Sequence, residues 1–442
     1  MNKRKFYLAL VIFSLVGQVA WVVENMYFNV FIYKMFNATA ENIALMVEAS
    51  AVAATLTTIF IGALSDKLGK RKIFMCAGYI AWGVSILSFA LVRLDIIRSV
   101  FGAAANAAAI GVTIVIILDC IMTFFGSSAN DAAYNAWLTD MTTDKNRGAA
   151  EGINSMMPLI AILVVFGSFM GFDLNIPSSW TWIYVIIGAV VLIIGVLGFF
   201  IVEDAPSIKT DDLGYFKTIL YGFRPSVIKE NKKLYFTLVG FIIFGISIQV
   251  FMPYLLIYYE QTLGMSDYVL IMAPAIIAAA IVTALYGKRI DKAGFYKSLF
   301  PSLGMLALGF ILLYVFPGMI FVNGMAMKIP VFIGSLFMMS GYLTGMAVFG
   351  AKIRNDTPEH MAGRFQGLRI VSQVLVPGVI GPMIGAAVLK NAETIVNGDG
   401  TTSFLPSNMI FLAALAVEVV LTVSVIVYIL IMQGKNENEA EK

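Results

Sequence analysis

The sequence predicts an all-α polytopic membrane protein whose twelve transmembrane helices form two pseudo-symmetric six-helix bundles. Three observations predict it. Hydrophobic residues make up 60% of the 442 and charged residues 13%, with a mean hydropathy of +0.87, too little polar surface to cover a water-soluble globule. Apolar runs of about 20 residues, enough for a helix to cross about 30 Å of hydrocarbon, recur twelve times. A charged motif that follows the second run returns after the eighth.

The chain opens MNKRKFYLALVIFSLVGQVAW, which has the basic and apolar regions of a secretory signal, but the apolar run continues to about Met35. A signal needs only about 7–15 apolar residues, so this is read as an uncleaved first span. The spans fall at roughly 6–34, 42–64, 73–92, 106–137, 149–172 and 180–202, then 234–258, 268–287, 298–317, 329–351, 366–389 and 408–432. They are long, continuous and not alternating, which selects helices over strands. The stretch from Arg98 to Trp137 exceeds what one span needs and leaves room for a short outer helix before span 4. With the N-terminus inside, all of the 30 basic residues but Lys34, Arg93, Arg98, Lys328 and Lys390 fall in the tails or the inner loops. Both termini are therefore expected in the cytoplasm, and the protein in the plasma (cytoplasmic) membrane. The expected organisation is an N-terminal bundle over 1–203, a linker over 204–233 that carries Pro206 and Pro225, a C-terminal bundle over 234–432 and a polar tail over 433–442.

Inventory narrows the chemistry. Cys76 and Cys120 lie inside apolar runs, which argues against a disulfide framework or a cysteine metal site. His360 is the single histidine, so a histidine relay or metal cluster is excluded. The net charge of +3 gives nucleic acid no support as a partner. No nucleophile motif or soluble catalytic domain is present, so an enzyme is not expected, and neither is a cofactor. A monomer is expected, with the lipid bilayer, a small-molecule solute and a coupling cation as partners.

The repeat is specific. GALSDKLGKRK, Gly62 to Lys72, and GKRIDKAGFYK, Gly287 to Lys297, align at one shift of 225 residues that matches Gly62, Asp66, Lys67, Gly69 and Lys72 with Gly287, Asp291, Lys292, Gly294 and Lys297. The loops after spans 4 and 10 echo each other through Asp140 and Arg147, and Asp356 and Arg364.

The pattern G-x-x-x-D-K-x-G-K-R after the second of twelve spans, with a degraded copy after the eighth, resembles the signature of the major facilitator superfamily. That resemblance covers the whole chain and implies a secondary transporter of that fold, with helices 1, 4, 7 and 10 around a central site. It also implies a cytoplasmic gate in which Gly62 lets helix 2 pack closely against helix 11 while Asp66 sits near that helix's N-terminus. Gly69, Arg71, Arg147 as a charge partner of Asp66, and the counterparts Asp291 and Arg364 are expected to belong to the same gate. DAAYNAWLTDMTTDKNR, Asp131 to Arg147, resembles the helix-4 segment of the glycoside-pentoside-hexuronide:cation symporters at Asp131, Tyr134, Thr142, Asp144, Lys145 and Arg147. The compact SDKLGKRK loop is closer to the sucrose-transporter branch. The first of these implies that Asp131 binds sugar hydroxyls. Where that family carries an acidic pair on helix 2, this chain has Glu48 and then Val52, which leaves the coupling ion open between proton and sodium.

Ionisable groups inside apolar spans are costly and point to function. Glu24, Glu48 and Asp119 are the candidates for ion coupling. Two carboxylates that met in low dielectric could not both ionise, and the similar depth of Glu24 and Glu48 would let one of them carry a proton. Gln18, Trp21 and Asn25 share a face of span 1 with Glu24 on its flank, and Asp131, Tyr134 and Asn135 share one on span 4 with Ser127. Acceptors beside an aromatic plate suit a sugar. Gln249, Tyr254 and Tyr258 on span 7 and Tyr342 and Thr344 on span 10 complete the expected lining. No basic residue lies at the centre of spans 1, 4, 7 or 10, which favours neutral or cationic solutes over anions. The expected function is uptake of a small neutral solute, a sugar or glycoside, coupled to protons or sodium. Proton-driven efflux of lipophilic or cationic compounds is the alternative, with a solute receptor or membrane enzyme behind both.

Overall fold

The computed structural model of the chain describes residues 2–102, 106–142, 146–204, 221–316, 324–357, 365–397 and 400–440, and the side chains of all of these but 66, 147, 288, 291, 324–327, 366 and 432–440. Among the described residues, twelve helices long and apolar enough to cross a bilayer follow one another, six in each of two compact units. In the first unit they are Lys3–Phe36, Ala40–Ser65, Arg71–Leu91, Ala107–Met141, Gly148–Phe169 and Pro177–Ile201. In the second they are Lys232–Thr262, Val269–Gly287, Phe295–Val315, Lys328–Asp356, Gly367–Leu389 and Met409–Ile431. A short helix, Leu94–Phe101, fills the room before span 4.

Each unit packs through glycines that let helices approach closely. In the first, a Cβ on Gly83 of span 3 would stand 2.5 Å from the Leu192 nitrogen of span 6. In the second, a Cβ on Gly309 of span 9 would stand 2.3 Å from the Met338 nitrogen of span 10. Gly381 and Gly385 seat span 11 against Gln249 and Val250 of span 7 in the same way.

The helices are less regular than continuous apolar runs suggest. Wide π turns interrupt span 1 at Val23–Tyr27, span 4 at Ser127–Tyr134, span 7 at Tyr258–Thr262 and span 11 at Val371–Leu375. Span 7 also tightens to a 3-10 turn at Met252–Tyr254, where Pro253 lacks the N–H that an α-helix would use. Such turns shift side chains around the helix and are frequent at functional sites.

Packing groups one short segment with the half of the chain that is distant from it in sequence. The first unit comprises Met1–Ile219 together with Glu393–Leu405, a segment that lies in sequence between spans 11 and 12. It contains the antiparallel strands β1 (Thr394–Val396) and β2 (Thr402–Phe404), with Ile395 opposite Ser403. The hairpin sits on the end of span 1. Tyr33 Oη donates to the Phe404 carbonyl at 2.7 Å, and Asn37 Nδ2 donates to Thr401 Oγ1 at 2.9 Å. Asn397 Nδ2 and Ser403 Oγ each donate to Asn37 Oδ1 at 3.2 Å.

Candidate functional site

Span 1 brings Glu24 into the core of the first unit on its π turn, 6% exposed. Its Oε1 accepts from Ser50 Oγ of span 2 at 2.8 Å and from Thr123 Oγ1 of span 4 at 2.8 Å, and these two hydroxyls are themselves 2.8 Å apart. Three oxygens thus form a near-equilateral triangle across three helices. Oε2 is buried without a partner among the described residues.

Thr123 belongs to a polar stripe on span 4. Asp119, Thr123, Ser127 and Asp131 follow at intervals of four, so they stack along one side of the helix. Asp119, 2% exposed, lies close enough to Glu24 for their charges to interact, and its Oδ1 has no partner among the described residues. Asp131, half-buried on the π turn, accepts from Ser127 Oγ at 2.9 Å and also interacts electrostatically with Glu24. Glu24 therefore stands between two aspartates of span 4. Glu48 is half-buried two residues from Ser50, roughly 200° around span 2 from the hydroxyl that meets Glu24.

An aromatic wall adjoins the carboxylates. Trp21 and Trp82 meet with ring centroids 5.0 Å apart, and Gly126 lets them reach the backbone of span 4, since a Cβ there would stand 2.7 Å from the Trp82 ring. Trp21 is half-buried, and the indole nitrogens of both find no partner among the described residues. Gln18 is half-buried on the same face of span 1, and Asn25 is exposed with its amide on the Trp21 carbonyl at 2.8 Å. Asn135 is exposed and donates to the Asp131 carbonyl at 3.1 Å.

Other expected residues are engaged in the framework. Tyr134 is 2% exposed and donates to Asn154 Oδ1 at 2.9 Å, so its hydroxyl ties span 4 to span 5. In the second unit, Tyr254 and Tyr258 are buried, and Thr344 Oγ1 donates to the Ser340 carbonyl of its own helix at 2.6 Å. Gln249 and Tyr342 are half-buried. Glu418, which its place in span 12 would make peripheral, is 2% exposed, with Oε2 unpartnered among the described residues.

Of the motif residues, Gly69 ends the span 2 helix with φ 64° and Gly294 has φ 76°, a conformation that favours glycine and explains why both copies of the motif have one there. Gly62 is in ordinary contact with Ala132, 3.7 Å from where its Cβ would stand. Arg71 is 4% exposed, donating through Nε to Asp140 Oδ2 at 3.0 Å and through Nη1 to Ser65 Oγ at 2.6 Å. The side chains of Asp66, Arg147 and Asp291, and the whole of Asp144, Lys145 and Arg364, lie outside what the structure describes.

The Major Facilitator Superfamily profile matches residues 6–382. The chain belongs to that superfamily. As a member it is a secondary-active transporter working by alternating access, a transport protein and not an enzyme. Among solved structures, the nucleoside transporter NupG is 13% identical with a TM-score of 0.68, over 95% of this chain and 97% of its own. A bacterial homologue of the human lysosomal transporter Spinster, inward-facing and unoccupied, is 14% identical with a TM-score of 0.65 over 96% of each chain. A D-xylose-proton symporter is 14% identical with a TM-score of 0.66, over 94% of this chain and 97% of its own. Comparison with curated protein sequences gives no match. Ser50 and Thr123, which bond Glu24, and Trp82, which meets Trp21, are the neighbours of the candidate residues that sequence reasoning missed. The spacing of four from Asp119 to Thr123 to Ser127 to Asp131 was the signal for Thr123.

Proposed function

We propose that this superfamily member is a proton-coupled symporter of a small, neutral, hydroxyl-bearing solute such as a sugar or glycoside, with Glu24 carrying the proton and Asp131 accepting from the solute. The oxygen triangle carries this reading. Ser50 and Thr123 bring at most one hydroxyl proton each, enough for two of the three 2.8 Å edges, and Ser50 is also a hydrogen-bond partner of Asp119. A carboxyl proton on Glu24 Oε1 fills the third edge and closes a ring of hydrogen bonds. An ionised Glu24 leaves one edge as a bare oxygen–oxygen contact. A site that holds one proton more tightly than none supports the coupling role proposed for Glu24.

The solute class is supported by a half-buried carboxylate at Asp131, the amide of Gln18 and the plate of Trp21 in one bundle. A carboxylate accepts from paired hydroxyls while an indole covers the C–H face of a ring. Spans 1, 7 and 10 carry their basic residues at their ends and span 4 carries none, so these helices offer no interior cation to an anion. The solved relatives lend the fold; at their identities they do not lend a substrate.

The test is transport by the full chain in proteoliposomes under an imposed pH gradient, with a panel of labelled monosaccharides, glycosides and nucleosides. Accumulation that collapses with a protonophore is expected, and Glu24→Gln should abolish accumulation yet keep solute counterflow, since exchange needs no net proton movement. Thr123→Val should lower accumulation in the same selective way. Uptake driven by sodium alone, or normal accumulation by E24Q, would remove Glu24 from the proton role. Extrusion of a lipophilic cation without uptake of any panel solute would replace symport by efflux.

A further inference from the structure

The end of the first unit that the basic-residue distribution places outside holds a cavity of about 360 Å³ between the ends of spans 1 and 3, the short helix Leu94–Phe101 and the first turn of span 6. Its walls are aromatic. Phe31 meets Trp180 at 5.1 Å and Phe36 at 5.6 Å between ring centroids, and Phe89 closes another side. Its mouth is charged. Arg93 donates twice to Asp95, each bond 3.0 Å, and Arg98 also lines the opening. The two hydrogen bonds from Arg93 hold the Asp95 carboxyl below its ordinary range, so that pair stays ionised and mutually satisfied. Arg98 is exposed and has no partner among the described residues.

Two features give this arrangement a meaning. Leu91, Val100 and Phe101 beside the mouth are 66%, 70% and 56% exposed, which places the short helix at the boundary of hydrocarbon and headgroup, where such side chains are covered by lipid. Basic residues are the exception on this face: of the five expected there, two line this one cavity. An apolar chamber at membrane depth with an unpaired guanidinium at its rim matches an acyl chain joined to a phosphate.

We propose that this cavity binds a phospholipid of the outer leaflet, one acyl chain lying between the aromatic walls and the phosphodiester resting on Arg98. The site is separate from the carboxylate site and does not depend on what the protein transports.

The full-length protein, stripped of lipid in detergent and titrated with phosphatidylglycerol, should retain one lipid per chain by native mass spectrometry. Arg98→Ala should weaken retention about tenfold, the scale of one lost charge-assisted hydrogen bond. Thr181→Trp, which fills the chamber from span 6, should abolish it. Diacylglycerol with the same acyl chains should be retained about tenfold more weakly, as the R98A variant retains the phospholipid, and millimolar inorganic phosphate should not displace the lipid. Arg98 is exposed, so its variant folds and the test survives a misfolded T181W. Retention by R98A equal to wild type overturns the proposal, as does equal binding of diacylglycerol. Displacement by inorganic phosphate would make the mouth a free-anion site and overturn it too.

Discussion

Asn37 shows how one residue can hold an element that belongs elsewhere in sequence. It has φ 51°, the single non-glycine residue with positive φ among those described, and its side chain makes one hydrogen bond to Thr401 and takes one each from Asn397 and Ser403. Asn37→Gly keeps the backbone relaxed and loses the bonds. Asn37→Ala loses the bonds and adds left-handed strain of about 1–2 kcal/mol. The thermal midpoint in detergent should therefore fall in the order wild type, N37G, N37A, and equal midpoints for the two variants would show that the backbone relaxes freely. At this scale the sequence was readable where a residue was out of place. Glu24, Asp119 and Asp131 stand out as carboxylates in apolar runs, whereas Ser50 and Thr123 do not. Hydroxyls are common in membrane helices, where they usually bond back to their own backbone, so nothing in their identity announced a shared partner.

Among elements, the spans were legible because bilayer thickness fixes their length, and the short helix before span 4 because that stretch was too long. The π turns were not legible. They follow from packing and from side chains such as Ser128, which donates to the Phe124 carbonyl at 2.6 Å, and hydropathy does not register a helix that widens by one residue per turn. The hairpin was passed over because its strands are three residues each, too short for an alternating pattern. The contact of spans 1 and 4 offers a test. A Cβ on Gly17 would stand 1.9 Å from Asn130 Nδ2 and 2.6 Å from Tyr79 Oη, so Gly17→Ala must drive apart the 2.7 Å hydrogen bond between them. Overpacking costs about 1–3 kcal/mol, and Asn130 adjoins Asp131, so a lower thermal midpoint together with weaker solute binding is expected. Gly152→Ala, with nothing within 4 Å of its Cβ, should be neutral or stabilising by up to about 1 kcal/mol. Equal behaviour of the two variants would remove the steric account.

For the whole molecule, alternating access asks each bundle to move without coming apart, and the repeated motif bears on that requirement. Arg71 joins the end of span 2, through Ser65, to the end of span 4, through Asp140, and Ser65 Oγ in turn donates to the Gly62 carbonyl at 2.9 Å. In the second unit Asp356 at the end of span 10 accepts from Lys352 at 2.6 Å and from Thr237 of span 7 at 3.1 Å. The echo between the loops after spans 4 and 10 thus has a shared physical content: an aspartate that ties one helix end to its own bundle. Removing one partner of a buried ion pair costs about 3–5 kcal/mol, chiefly through the charge left behind, and with Asp140 23% exposed the lower end applies. Arg71→Ala and Asp140→Ala should each slow turnover and lower the thermal midpoint while solute affinity stays within about twofold, because neither residue belongs to the carboxylate site. The double variant should be less damaged than the sum of the two, since no unpaired charge remains. A fall in affinity at unchanged turnover would place the pair in solute binding, and strict additivity would mean that the two side chains act apart.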